Sequence, residues 1–530
     1  MLSKGTTSSE MVAESAIPDH NVGGRIECCG HFGTIKYIGP VEGHPGVWLG
    51  IDWDDIERGK HNGTVNGIHY FNTRHPKSGS FLRREKVNFG QSLITAIRMR
   101  YGERGDELTA KIEEQQLLNF QQSINAPFLE LVGFDKIVDK QSDFNSLEVV
   151  NVRLQHVNNI GTPYELNCLC PNIREIDISK NLLSSWTDVF DICSQLKHLF
   201  WINVSENILS IPENYKEYIF PNITVLICGY MTLTWEDIIK LSSVFPNIEE
   251  LRVPYNNITS LTIPNDRNLK RLRVLDLEGN CIKHWSEINK LSKMSFLEHM
   301  MLEDTKIESI LFQSDSALTS DFPNLNRLNI SNNLIKEWRS ISELSKLQKL
   351  EHLRFTNNPI LETESPAMRE QLVIAHLRHL KTFNGRTIID EERRGAEYDY
   401  IKKYALEWIK VKDTPERGRF LLQHNRYLEL IEKYGLPEES ELIVQPNILK
   451  SSLIELNIEF EGRRISKKLP PSILIQKLVM LIQKLFKLKE RPSIKYIGGS
   501  QSDIIIELDD EMKELGYYSI QEGDTIIVQI

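Results

Sequence analysis

The chain has 530 residues, 40% of them apolar and 26% charged, with a formal net charge of -10. That length fits several domains, and the apolar share can bury several cores. The negative balance argues against non-specific nucleic-acid binding, which runs on excess positive charge. No apolar run approaches the roughly 18 residues of a membrane span, so neither nucleic acid nor a membrane is expected as a partner. The 7 cysteines are odd in number and form no CxxC pair, so neither a zinc site nor a disulfide framework is encoded. Residues 1–20 lack the apolar core of a signal peptide and are expected to be disordered, which reads as a reduced cytosolic protein.

Residues 21–95 carry short β-forming runs, RIECCG, FGTIKYIG, GVWLGIDWD, GTVNGIHYF and GSFLRREKV, separated by turn signals. This pattern predicts a small antiparallel β barrel. Within it, GKHNG (Gly59 to Gly63) is not a phosphate loop. Lys60 is followed by His61 rather than Ser or Thr, no glycine stands five residues before Gly59, and the next segment reads as strand rather than helix. No kinase loop, nucleophile elbow, metal cluster or triad can be assembled along the chain, so no catalytic residue, metal or cofactor is expected.

The wider frame from Gly46 to Val87 includes Trp48-Leu49-Gly50, the Gly59-to-Gly63 turn, Gly67, Tyr70-Phe71 and Gly79-Ser80-Phe81-Leu82-Arg83. It resembles the CAP-Gly domain, the glycine-rich module of cytoskeleton-associated proteins. The resemblance implies capture of a carboxyl-terminal peptide ending in Glu-Glu-Tyr or a close relative, as on α-tubulin. Carried over, Trp48 and Phe81 would wall an aromatic pocket, and Lys60 and Arg83 would face the carboxylates. His61 would supply a hydrogen bond where the family usually has Asn, and could make binding pH-sensitive. His61 and Asn62 both depart from the usual GKNDG signature. Gly59 and Gly63 would shape the loop, and Gly50 and Gly67 are read as purely conformational.

Residues 96–144 are expected to be a linker. From 145 to 360 the pattern L-x-x-L-x-L-x-x-N recurs, with its last position at 181, 207, 231, 256, 280, 305, 333 and 358. Met231 and Thr305 replace Asn in two copies, and Ser146 to Gln155 reads as one further, imperfect copy. Successive differences of 26, 24, 25, 24, 25, 28 and 25 predict an α/β leucine-rich-repeat solenoid. The asparagine amide should satisfy backbone groups where the chain turns. Trp186, Trp235, Trp285 and Trp338 are expected in the convex core. The middle position of each strand should face the concave side: Asp177, Asn203, Ile227, Arg252, Asp276, Met301, Asn329 and Arg354, with Trp201 and Val225 alongside. Trp201, Ile227, Arg252, Met301 and Arg354 form the candidate client surface.

Residues 361–405 should cap the repeats, and 406–449 should be a helical linker. In 450–530, the order strand-strand-helix-strand-strand-strand predicts an α+β ubiquitin-like β-grasp. The chain stops at Val528-Gln529-Ile530, without a conjugating diglycine, and Gly498-Gly499 is internal. The segment therefore reads as a docking module rather than a tag.

The three modules in this order resemble the tubulin-folding cofactors. The resemblance implies a cytoplasmic, cytoskeletal chaperone that holds α-tubulin by its acidic tail and its body while the αβ heterodimer is assembled or taken apart. Its partners would be other tubulin-folding cofactors, an Arf-like GTPase and, through the β-grasp, the proteasome. The alternative is a microtubule-associated or ubiquitin-system adaptor using the same modules.

Overall fold

In the computed structural model, the described residues are 22–101, 144–264, 268–313, 318–437, 453–497, 505–508, 510–518, 520 and 522–529. The expected disordered segment 1–20 lies outside them. Chain alternation builds the first domain. Strands β1 (Arg25–Cys28), β2 (His31–Val41) and β3 (His44–Trp53) are followed by the short pair β4 (Thr64–Val65) and β5 (Ile68–His69), then β6 (Gly79–Leu82). Every second residue of β3, Leu49, Ile51 and Trp53, joins Ile26 and Ile35 in one core. Four strands pair antiparallel in the order β1-β2-β3-β6. This leaves β1 and β6 at opposite edges, so the described strands make an open sheet with a hairpin beside it rather than a closed barrel.

The next segment corrects the expected boundary. β7 (Gln91–Ser92) pairs in parallel with β9 (Val157–Asn159), and helix Leu93–Tyr101 buries Leu93, Ile94, Ala96 and Ile97 in the core of the repeats. Residues 91–101 thus cover the first repeat instead of ending one domain and starting a linker. The rest of the expected linker, 102–143, lies outside the described residues.

Among the described residues the repeats share one eleven-stranded sheet. Its strands are β8 (Val149–Asn151), β10 (Glu175–Asp177), β11 (Trp201–Asn203), β12 (Val225–Ile227), β13 (Glu250–Arg252), β14 (Val274–Asp276), β15 (His299–Met301), β16 (Arg327–Asn329) and β17 (His352–Arg354). β18 (Thr382–Phe383) and the antiparallel β19 (Arg386–Thr387) finish it. Register keeps equivalent positions side by side, as in Arg252 beside Asp276 beside Met301. The imperfect copy at 146–155 supplies β8, at the edge of the sheet.

Asparagine side chains run through the turns as a ladder. Asn256 Nδ2 donates to the Cys228 and Val253 carbonyls at 2.8 and 3.1 Å, and its Oδ1 accepts from Met231 and Leu233 N–H at 2.9 and 3.1 Å. Asn181, Asn207, Asn280, Asn333 and Asn358 are buried likewise. Just before each ladder position the backbone turns left-handed, at Lys180, Glu206, Tyr230, Tyr255, Gly279, Asp304, Asn332 and Asn357. The four tryptophans each open a helix on the other side of the sheet. Ser185 and Thr234 cap two of these, the latter in a capping box with Asp237. Trp186, Trp235 and Trp285 are buried in the core, whereas Trp338 is half-buried and stacks on His376 at 5.6 Å.

Helices Pro366–His376 and Asp390–Val411 follow β17 and β19 respectively, in and beyond the segment expected as cap. The expected helical linker joins them. Helices Arg417–Gln423 and Tyr427–Tyr434 contribute Phe420, Tyr427 and Leu430 to a core with Leu372, Tyr400, Ile401 and Trp408. The body therefore extends to Leu436, because the apolar spacing of 417–434 fits a packed face better than a solvated connector.

The C-terminal unit has β20 (Ile454–Phe460), β21 (Arg463–Leu469), helix Ile475–Phe486, β22 (Ser493–Ile497), β23 (Ile505–Glu507) and β24 (Thr525–Gln529). Sheet order β21-β20-β24-β22-β23, with β20 and β24 parallel at the centre, is the expected ubiquitin-like arrangement. Leu456, Ile458, Leu478, Ile482 and Ile526 fill its core. Gly498 and Gly499 lie outside the described residues.

Candidate functional site

The Gly59–Gly63 turn is held from below by a buried carboxylate. Asp52, on β3, is fully buried; it accepts from Ser78 Oγ at 2.6 Å and from Arg74 Nε at 3.0 Å. This fixes residues 74–79 against the sheet. The turn then pairs with that segment, Lys60 N donating to Gly79 O at 2.7 Å and Gly79 N to His61 O at 2.8 Å. Space explains the glycines. A Cβ on Gly59 would lie 2.4 Å from Lys77 O, and one on Gly63, at φ +91, would lie 1.7 Å from Phe71 O.

Gly50 corrects the conformational reading. Its φ is ordinary, but a Cβ there would meet the Phe71 ring at 2.4 Å. Gly67, at φ +82 with nothing within 4 Å, is conformational as expected.

Gly50 stands opposite Phe81 in the β3–β6 register, and above it an aromatic cluster gathers. Phe81 contacts Tyr37 at 6.0 Å, His61 at 5.4 Å, Tyr70 at 5.3 Å and Phe71 at 5.4 Å, three of these edge-on and His61 tilted. Trp48 shares the face but stands apart from this group. Arg83 lies over its ring at 3.8 Å, and His44 meets its edge at 5.8 Å. Arg83 also donates to the Val47 carbonyl at 3.1 Å and to the Pro45 carbonyl. Its guanidinium thus braces the β2–β3 turn with some of its donors while stacking on the indole.

His61 is oriented by its own turn. Gly63 N–H donates to His61 Nδ1 at 3.0 Å, which puts the ring proton on Nε2. Burial first, and then the charge of Lys60, holds the imidazole below its ordinary value. At neutral pH His61 is therefore an uncharged donor. Lys60 is exposed, and Asn62 Oδ1 accepts from Thr64 N–H at 3.2 Å, tightening the turn. The arrangement offers a ring-lined hollow with a cation and a neutral donor on its rim.

Sequence spacing did not place Tyr37 in this group, nor Asp52, Arg74 and Ser78 beneath it. Alternation in FGTIKYIG would put Tyr37 on the same face as Ile35, in the core; a bulge between Ile35 and Tyr37 in the β2–β3 register turns it to the opposite face.

On the repeats, the middle residue of each strand, such as Ile202, Leu251 or Met300, is buried, because it points into the core. The residues expected at the middle are the third of each strand and face the other way. Ile227, Arg252, Asp276, Met301, Asn329 and Arg354 line one open cavity of about 710 Å³. Asp177, Asn203, Trp201 and Val225 share that face outside the cavity, with Asn203 Nδ2 donating to Asp177 at 3.2 Å.

Among the described residues no helix is long and apolar enough to cross a membrane. Residues 22–87 match the family model of the CAP-Gly domain. Tubulin-specific chaperone E of Bos taurus is 37% identical over 526 residues, covering 96% of this chain and 98% of that one. A solution structure of the C-terminal ubiquitin-like domain of mouse tubulin-specific chaperone e matches 14% of this chain and 84% of its own, at 27% identity and TM-score 0.14. The Bik1 CAP-Gly domain with an ETF peptide from Bim1 matches 12% of this chain and 78% of its own, at 35% identity and TM-score 0.11. With relatedness of this degree running nearly end to end, the chain belongs to the tubulin-specific chaperone E family.

Proposed function

We propose that this protein is a tubulin-folding chaperone that grips α-tubulin at two places and acts by binding rather than catalysis. The CAP-Gly hollow takes the acidic carboxyl-terminal tail: its terminal aromatic ring lies against Phe81, Tyr37 and Tyr70, and its carboxylates meet Lys60, the free donors of Arg83 and His61 Nε2. Trp48 and Asn62 shape the rim. The concave face of the leucine-rich-repeat solenoid takes the folded body. The ubiquitin-like domain recruits another tubulin-folding cofactor or the proteasome, and an Arf-like GTPase is a further partner. Assembly and dissociation of the αβ heterodimer then follow from preferring α-tubulin in a state that excludes its partner. Such work belongs in the cytoplasm and at the cytoskeleton.

The observation that carries this reading is the ring cluster around Phe81 beside exposed Lys60, on a chain of this family. Magnitudes favour two grips. One buried aromatic supplies about 1.5 to 3 kcal/mol, and each charged hydrogen bond roughly 1.5 to 3 kcal/mol. Association opposes them with at least about 4 kcal/mol, so the tail alone binds at micromolar strength or poorer. A second contact on the same client raises this through effective concentration.

The test is titration of the full chain with an α-tubulin-like acidic peptide, with and without its terminal Tyr. Tyr-dependent binding that Lys60→Ala weakens supports the tail grip. Equal binding of both peptides, or none, would sink it.

A further inference from the structure

The concave cavity holds a charge imbalance that the fold leaves open. Asp276 is 6% exposed, and its Oδ1 accepts from the Glu278 N–H at 2.9 Å. Its cross-strand neighbour Arg252 is committed elsewhere, to Glu250 at 2.5 Å. Glu278 accepts from the Tyr255 hydroxyl at 3.1 Å, and Glu303 from Asn329 and Asn332 at 2.8 and 2.6 Å. All three carboxylates line the same cavity, and among the described residues no Lys or Arg is ion-paired with any of them. Burial, and then repulsion from Asp276, holds the Glu278 carboxyl above its ordinary value. Half-buried carboxylates are ordinarily matched by a cation. Arg252 and Arg354 line the same cavity, and Arg252 acts on Asp276 through space, but two guanidiniums against three carboxylates and Glu250 leave room for a cation from outside.

The wall beside them is aromatic. Tyr230 and Tyr255 stack with centroids 4.6 Å and planes 9° apart. Gly279 makes room for this, since a Cβ there would lie 2.3 Å from the Tyr255 ring. The same left-handed turn position holds Lys180, Glu206, Gly279, Asp304, Asn332 or Asn357 in other repeats. Only where it borders the cavity do two successive repeats present aromatic rings. No group of three His, Cys, Asp or Glu side chains among the described residues is arranged to hold a metal ion. Carboxylates beside rings, with Met301 and Ile227 on the floor, fit an organic cation on an aliphatic stem.

We propose that this cavity receives a basic side chain of a folded protein partner, a guanidinium before an ammonium, with its charge met by Asp276, Glu278 and Glu303 and its stem lying along Tyr230, Tyr255 and Met301. Exposed Arg354 in the same cavity orients the partner, favouring an acidic neighbour on that side. Naming the partner as the α-tubulin body rests on the proposed function; the pocket itself does not.

The test has two arms on the full chain. In the first, methionine methyls are labelled with carbon-13 and the Met301 signal, assigned with Met301→Leu, is followed by NMR. N-acetyl-arginine amide should shift that signal in the native chain and not in Glu278→Gln/Glu303→Gln, while the neutral isostere N-acetyl-citrulline amide should leave it in place. No shift with arginine, or an equal shift with citrulline, overturns the pocket. In the second arm, the double variant should bind purified αβ-tubulin about tenfold more weakly, with its melting temperature unchanged. Equal tubulin binding by both proteins overturns the assignment of the partner. A native chain that shows the arginine shift yet binds no tubulin upholds the pocket and defeats the proposed function instead.

Discussion

Gly63 N–H donates to His61 Nδ1 across 3.0 Å, so the imidazole that borders the candidate tail site is locked as a neutral ring with its proton on Nε2. Protonating Nδ1 would put a proton where the backbone donor already points. With burial also disfavouring the cation, the folded value lies below the unfolded one. The contribution to stability is therefore full above the unfolded value near 6.5 and is lost as pH falls through the folded value.

Tail-peptide affinity is accordingly expected to be flat from about pH 8 to the ordinary imidazole value and to fall below it. His61→Asn should abolish that acid-side fall while retaining binding at neutral pH. Fluorescence anisotropy across the range checks this; a fall beginning well above the ordinary imidazole value would contradict the locked tautomer.

The glycines separate crowding from backbone conformation. Gly67→Ala should cost only about 1 to 2 kcal/mol, the strain of a left-handed residue with open space around it. Gly50→Ala should cost about 1 to 3 kcal/mol, through displacement of the Phe71 ring. Gly63→Ala combines both faults and should cost the most. Thermal melts that rank Gly67→Ala below the other two would bear this out.

Arg83→Lys keeps the charge but loses the plane lying 3.8 Å over Trp48 and the fork that reaches Val47 and Pro45. It should weaken tail-peptide binding severalfold, with a drop in indole fluorescence anisotropy. A guanidinium serving only as a charge would be replaced by Lys without loss.

In the repeats, Asn256→Ala would leave the Met231 and Leu233 amides and the Cys228 carbonyl without their side-chain partner. Each buried orphan costs about 1 to 3 kcal/mol, so hydrogen exchange at Met231 and Leu233 should accelerate by at least about tenfold. Thr305 Oγ1 already directs its single proton to Leu302 O at 2.8 Å, with Asn333 Oδ1 a second acceptor at 3.1 Å. Thr305→Asn should therefore be tolerated or mildly stabilising.

The cap should fail first in acid. Burial pushes the His376 imidazole down to about 4 and that of His424, bonded to the Tyr400 hydroxyl at 2.8 Å, down to about 3. Both folded values lie below the unfolded one, so the unfolded cap binds more protons. Its stability is complete above about pH 6.5 and drains away as pH falls toward those values. Trp338 and Trp408 emission would report the loss, and His376→Phe should shallow the pH slope.

Local order was legible because it is written at fixed spacings. The recurrence of Leu and Asn set the strands and the ladder, since an Asn after each strand falls beside the previous repeat's open carbonyls. The glycines of the first domain marked the turn at Gly59–Gly63, and alternating runs marked the β-grasp. The residues expected to share the open face of the sheet do share one face, at the third strand position and not the middle one.

What the sequence by itself determined, then, is the order of modules, the repeat period and which side chains leave each strand on the open face, all properties of neighbours a few positions apart. Only the tertiary structure decided that Tyr37 and Tyr70 meet Phe81 while Trp48 goes to Arg83, that residues 91–101 close the first repeat, and that 417–434 thicken the cap. It also decided that Asp276, Glu278 and Glu303 converge beside two stacked tyrosines with, among the described residues, no Lys or Arg ion-paired to them. Those pairings join segments far apart in the chain, and which faces meet there depends on how whole elements pack, a choice that no local spacing encodes.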